Sequence, residues 1–128
     1  MSEPKWLERT AVLAMHARQL AEHGGGEGVR DMGLLESALQ RPRNKMAYGE
    51  TDICDLAASY AYGIARNHPF VDGNKRTALV ASRTFLLING YQINASKEDR
   101  LTIFLGLAAG DVSEDSLAAW FRKFVVKI

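Results

Sequence analysis

His68-Pro69-Phe70-Val71-Asp72-Gly73-Asn74-Lys75-Arg76-Thr77 carries an imidazole, a carboxylate, an amide, two cations, a glycine and a hydroxyl within ten residues. Apolar sequence flanks it on both sides. The preceding run, Leu56-Ala57-Ala58-Ser59-Tyr60-Ala61-Tyr62-Gly63-Ile64-Ala65, is small, apolar and free of proline. It suits a buried helix. The following run, Ala78-Leu79-Val80-Ala81-Ser82-Arg83-Thr84-Phe85-Leu86-Leu87-Ile88, is apolar nearly all round and ends at Asn89-Gly90, a helix stop. The decapeptide therefore reads as a short loop between two core helices. The second helix is predicted to begin near Gly73 and Asn74.

That position favours an anion. The first amides of a helix lack intrahelical partners, and the helix dipole adds partial positive charge there. Gly73 lets backbone approach a phosphate closely. Asn74 offers a side-chain amide, Lys75 a point charge and Arg76 a planar fork. Asp72 is repelled by phosphate unless a cation lies between them, and magnesium, held by one or two carboxylates plus substrate phosphates, fits. His68 supplies a base that works near neutral pH. Phe70 is expected to point into the core and pin the loop. Together these residues predict phosphoryl or nucleotidyl transfer to a hydroxyl.

The segment from His68 to Arg76 resembles the signature of the Fic superfamily, His-x-Phe-x-Asp/Glu-Gly-Asn-Gly-Arg-x-x-Arg, and is most similar to its death-on-curing (Doc) toxin branch. Lys75 stands where most Fic proteins have glycine, and Leu79 where they have a second arginine. In AMP-transferring members that glycine opens a second anion hole. A lysine marks the Doc branch, in which the nucleotide lies reversed and the γ-phosphate is transferred. Residues 28–42 and 85–91 also resemble the family. The resemblance implies an all-α Fic-fold bundle of roughly six helices around a central buried helix at residues 74–89, with a flap near residues 41–51 that contacts the protein target. It implies His68 as general base, Asp72 as magnesium holder, and Gly73, Asn74, Lys75 and Arg76 as phosphate ligands, with ATP as substrate. It further implies a type II toxin-antitoxin module whose toxin phosphorylates a threonine of elongation factor Tu and halts translation. Such a toxin is neutralised by the disordered C-terminal segment of an antitoxin. Many Fic proteins carry their own inhibitory helix with a Ser/Thr-x-x-x-Glu-Gly/Asn motif. Here Glu27-Gly28 has His23 where Ser or Thr is needed, so a separate antitoxin partner is implied.

At 128 residues the chain is expected to form a single domain over residues 1–128, large enough to bury a core. With 47% hydrophobic and 24% charged residues it has an ordinary globular composition. A net charge of +1 gives no basis for direct DNA binding. Arg41, Arg43 and Lys45 are expected to form a local basic patch beside the site. The lone Cys54 cannot form an intramolecular disulfide, which points to a reducing cytoplasm, and makes a zinc site with the histidines improbable. No signal or membrane-spanning segment is visible, and no membrane association is expected.

The remainder reads as helices. Residues 4–22 place Trp6, Leu13, Ala17 and Leu20 on one face, with Pro4 in the first turn. Residues 24–28 are a glycine-rich turn rather than a phosphate loop, because no Gly-Lys-Ser/Thr follows. Asp31 caps a helix that Pro42 closes after Gln40. Thr51 caps the next, running to about Asn67. Ser96 and Asp99 have capping-box spacing, and Gly110 stops that helix. Ser113 caps a last one bearing Leu117, Trp120, Phe121 and Val125. Strand signal is confined to residues 46–48 and 90–93. His16 and His23 read as structural or solvent-facing, and Arg30 with Asp31 first as a local ion pair and cap, with shaping the site from outside as the alternative. Three other readings stand beside the kinase: AMP transfer to a protein hydroxyl, which Lys75 and Leu79 oppose; a catalytically silent adaptor that binds nucleotide or a partner, which His68 and Asp72 oppose; and an all-α nucleic-acid-binding regulator, which the lack of a clustered basic helix face opposes.

Overall fold

The computed structural model describes residues 3–128. Six helices and a small sheet follow in order: α1 (Arg9–His23), α2 (Met32–Ala47), α3 (Ile53–Asn67), α4 (Asn74–Ile88), β1 (Tyr91–Ile93), α5 (Lys97–Ala109), α6 (Glu114–Phe124) and β2 (Val125–Lys127). The all-α expectation holds. The two strands pair antiparallel, with Gln92 opposite Val126, and fasten the C-terminus beside the end of α4. No helix among the described residues is long and apolar enough to cross a membrane.

The hub is α3, not the expected helix at residues 74–89. Ten of the fifteen residues of α3 are buried, against seven in α4. The helix packs against α2, α4, α5 and α6. Its small side chains explain this placement, because they let four neighbours approach one axis closely. α4 instead lies between α3 and α1 and keeps its N-terminal cations in solvent. Tyr60, Phe70, Phe85 and Phe121 are the largest fully buried side chains. Tyr60 and Phe85 meet with ring centres 4.9 Å apart, and Trp6 stacks on Phe85 at 5.9 Å.

Several predicted boundaries move, each because a distant group takes the backbone bonds. α1 starts at Arg9 rather than near Pro4. Upstream, Asn89 pairs with the Lys5 amide and carbonyl, and the Leu7 amide donates to the Tyr60 hydroxyl. These bonds hold residues 5–7 outside the helix, so Trp6 does not share the α1 face. The buried side chains of α1 are Val12 and His16, while Ala17 is exposed. α2 continues through Pro42 to Ala47, so Pro42 does not close it. An interior proline forfeits one helical hydrogen bond, at a cost of about 3 kcal/mol. Tertiary anchoring offsets this: Pro42 is buried, and Arg41 just before it and Lys45 one turn after it both engage Glu114 of α6. The expected flap at residues 41–51 is therefore helix up to Ala47 followed by a short connection, and residues 46–48 form no strand. Asp52, not Thr51, caps α3, accepting from the Cys54 amide at 2.8 Å. Asp31, Ser96 and Ser113 cap α2, α5 and α6 as read from sequence, and Gly110 terminates α5 with φ 88°.

Glu114 links α6 to α2 electrostatically. Burial pushes its carboxyl up, but hydrogen bonds from Arg41 and Lys45 outweigh this and hold it below the usual range. A depressed folded pKa stabilises the fold above the unfolded carboxylate range, about pH 4.3 for Glu, and that stabilisation is lost as pH falls through the folded value. Glu114→Gln is therefore expected to cost about 1–2 kcal/mol near neutral pH. The deficit should shrink as pH falls below the unfolded carboxylate range, as read by urea denaturation of both proteins across a pH series from neutral to acid.

Candidate active site

The loop between α3 and α4 is shaped by its two ends. His68 closes α3 in the left-handed region, φ 54° and ψ 52°, the one non-glycine residue with positive φ among the described residues. Such a conformation costs on the order of 1–3 kcal/mol and persists only where its surroundings enforce it. Arg30 does much of the enforcing. Its Nε donates to the His68 carbonyl at 2.7 Å and its Nη2 to the Asn67 carbonyl at 2.9 Å. Arg30 thus shapes the site and makes no ion pair with Asp31, contrary to the first sequence reading. Gly73, at φ 78°, opens α4 as a cap residue without a side-chain cap bond. The first turn of α4 holds no acidic residue, so Lys75 and Arg76 sit against the positive end of the dipole.

Phe70 fixes the middle. It is fully buried, bridges Val29, and stacks on His16 with ring centres 3.8 Å apart and planes 7° from parallel. Its expected core position is observed. Asn74, expected among the phosphate ligands, is buried inside the loop. Its Oδ1 accepts from the Phe70 amide at 3.0 Å, and its Nδ2 donates to the Phe70 carbonyl at 3.0 Å and to His68 Nδ1 at 3.1 Å. Because Oδ1 is committed to an N–H, the amide orientation is determined, and the neutral His68 ring must carry its hydrogen on Nε2.

Around this staple the reactive groups converge. His68, Asp72, Gly73, Asn74, Lys75 and Arg76 line a cavity of about 400 Å³, and Leu79, Leu101, Phe104 and Leu105 supply its apolar lining. The Asp72 carboxylate is exposed. Its Oδ1 accepts from the Gly73 amide at 2.8 Å, and its Oδ2 has a longer 3.4 Å contact from the Gly26 amide. The hydrogen bond from Gly73, then that from Gly26, holds this carboxyl below the ordinary range. Asp72 is thus an ionised oxygen ligand at neutral pH with lone pairs to spare. No cluster of three or more His, Cys, Asp or Glu side chains suited to a metal occurs among the described residues. One carboxylate beside a phosphate site fits magnesium, which is commonly bound jointly with substrate phosphates.

The glycine-rich turn is built against this loop rather than hanging free. A Cβ on Gly25, itself at φ 126°, would lie 2.7 Å from Asp72 Oδ2. The Gly28 carbonyl accepts from the Val71 amide at 3.1 Å. The expected basic patch is largely neutralised: Arg41 and Lys45 are paired with Glu114, and Arg43 lies over the Trp6 ring. A second groove of about 650 Å³, lined in part by Arg41, Lys45, Tyr48 and Tyr62, reaches Asn67 next to the site. Cys54 is excluded as a nucleophile: burial pushes its thiol up to about 11, and it lies outside the cavity lining.

Sequence reading gave His16 no part in this site and placed the site-shaping role of Arg30 second to an ion pair. A histidine four residues after Val12, on the one buried face of α1, was the available signal for His16. No local pattern marks Arg30, whose partners lie 37 and 38 residues away.

Comparison with known proteins places the chain among relatives. The family model described as Fic/DOC matches residues 6–86. The chain is 36% identical over 113 residues to "Protein kinase doc" of Escherichia phage P1, covering 88% of this chain and 89% of that protein. It is 42% identical over 125 residues to "Toxin Doc" of Mycolicibacterium smegmatis (strain ATCC 700084 / mc(2)155), covering 94% and 93% respectively.

Proposed function

The chain belongs to the Fic/DOC family, and from that premise we propose that it is a Doc-type toxin, a magnesium- and ATP-dependent kinase that transfers the γ-phosphate to a hydroxyl of a protein target. The observation that carries this reading is the pairing of exposed Lys75 and Arg76 at an uncapped helix N-terminus with an apolar Leu79. Lys75 occupies the position where AMP-transferring members leave an anion hole. Leu79 offers no second cation for outer phosphates.

Lys75 and Arg76 bind the triphosphate, the Gly73 N–H joins them by turning from the Asp72 carboxylate to a phosphate oxygen, and Asn74 holds the loop in register beneath it. Asp72 holds magnesium, which when bound neutralises phosphate charge and orients the transferred group. The target hydroxyl gives its proton to His68, its oxygen attacks the γ-phosphorus, the bond from that phosphorus to the bridging oxygen breaks, and ADP leaves. An imidazolium carries hydrogen on both nitrogens, so His68 surrenders its bond from Asn74 as it takes the proton. The groove beneath exposed Tyr48 is the surface along which the target lies. The target class is a translation factor, with a threonine of elongation factor Tu as the first candidate. A separately encoded antitoxin, through a disordered C-terminal segment, is the neutralising partner.

Incubating the purified protein in a cell extract with α- or γ-labelled ATP tests the chemistry. Label entering protein from the γ position alone supports the kinase. Label from the α position identifies AMP transfer, and absence of transfer from either leaves the adaptor.

A further inference from the structure

His16 lies on α1, more than fifty residues before the phosphate loop, yet it meets the loop at Phe70, Asp72 and Gly73. Its ring stacks face to face on Phe70. Its Nε2 lies 2.8 Å from the Asp72 carbonyl oxygen, and since a carbonyl only accepts, the ring donates. A Cβ on Gly73 would sit 3.6 Å from His16 Cδ2 and 3.7 Å from Nε2, so the ring also packs along the glycine backbone. The side chain is 5% exposed, which makes it one of the few buried polar groups of the molecule.

The bond to Asp72 has a consequence for the neighbouring amide. The Asp72 carbonyl and the Gly73 N–H belong to one planar trans peptide, and in such a unit they point in opposite directions. Holding the carbonyl inward on His16 therefore turns the Gly73 N–H outward, to the side where it now donates to the Asp72 carboxylate. Glycine on the far side of that peptide makes a flip sterically cheap, because positive and negative φ are both open to it. Without an inward donor, the opposite orientation would turn a carbonyl oxygen toward the anion.

We infer that His16 is a positioning residue that locks the Asp72–Gly73 peptide in the orientation presenting its N–H, rather than its carbonyl, to the nucleotide phosphates. The proposal rests on the phosphate-binding reading of the site. It assigns the buried imidazole a task that core packing alone does not require: hydrogen-bond donation at one defined atom. A phenylalanine would preserve the stack on Phe70, and a glutamine would preserve a donor at nearly the Nε2 position.

The test compares wild type, His16→Phe and His16→Gln in the full chain. Thermal unfolding is recorded first, so that binding is measured only where each protein is folded. Affinity for magnesium-ATP is then measured by calorimetry, and crystal structures of wild type and His16→Phe report the Asp72–Gly73 peptide. His16→Phe is expected to fold, to show the flipped peptide, and to bind ATP at least about tenfold more weakly, the scale of one lost hydrogen bond to a charged group. His16→Gln is expected to be less stable but to bind within about threefold of wild type. Wild-type affinity and an unflipped peptide in folded His16→Phe would overturn the proposal, as would equal losses in both variants. If wild type itself binds no magnesium-ATP, the nucleotide reading of the site fails. The peptide orientation in His16→Phe then decides the role of His16 separately.

Discussion

His68→Ala is expected to lower the rate of phosphate transfer by about 10²–10⁴-fold, the usual contribution of a positioned general base, while ATP affinity changes little. The separation follows from the geometry. The phosphate-facing groups proposed above are Gly73, Lys75 and Arg76, and none of them is held by the His68 side chain, whose recorded side-chain partner is Asn74. A backbone effect has to be distinguished from a chemical one, because His68 occupies the left-handed region and alanine tolerates it poorly. His68→Asn supplies that control, since asparagine adopts this conformation readily. Both variants should lose transfer in the γ-labelled ATP assay and keep magnesium-ATP binding by calorimetry. A wild-type rate in His68→Asn would move the base elsewhere.

Phe70→Ala is expected to destabilise the protein by about 3–5 kcal/mol, the range for emptying a buried aromatic site. Phe70 is 0% exposed and carries His16 on its ring face. Its amide and carbonyl anchor the Asn74 side chain, which in turn reaches His68. The cavity would thus open directly beneath the site loop. Phe70→Leu, which keeps most of the volume, should cost under about 1.5 kcal/mol, with stacking on His16 lost. Urea denaturation of both variants checks the pair. A deficit below about 1 kcal/mol for Phe70→Ala would show that the loop does not depend on this ring.

These expectations draw on residues that differ in how visible they are in sequence. His68, Asp72, Gly73, Lys75 and Arg76 lie within nine residues, so their convergence follows from local geometry once the flanking helices are recognised. Phe70 was legible for the same reason: a phenyl ring in a short loop between two apolar helices has the core between them to enter. Asn74 was legible as part of the constellation but not in its contacts. Only the folded loop shows both ends of its amide turned inward to Phe70 and His68.

The helical class, the loop between two apolar helices, and the caps at Asp31, Ser96, Ser113 and Gly110 were fixed by short-range chemistry, because each depends on residues within one or two turns. Tertiary structure alone decided that Asn89 and Tyr60 delay the start of α1, that Glu114 steadies a helix running through Pro42, and that α3 rather than α4 is the hub. It alone placed Arg30 on the carbonyls at the end of α3 and His16 beneath Asp72. Each of these outcomes turns on partners far apart in the chain, and a hydrogen bond or stacked ring of that kind leaves no periodic or spacing signal in the sequence that forms it.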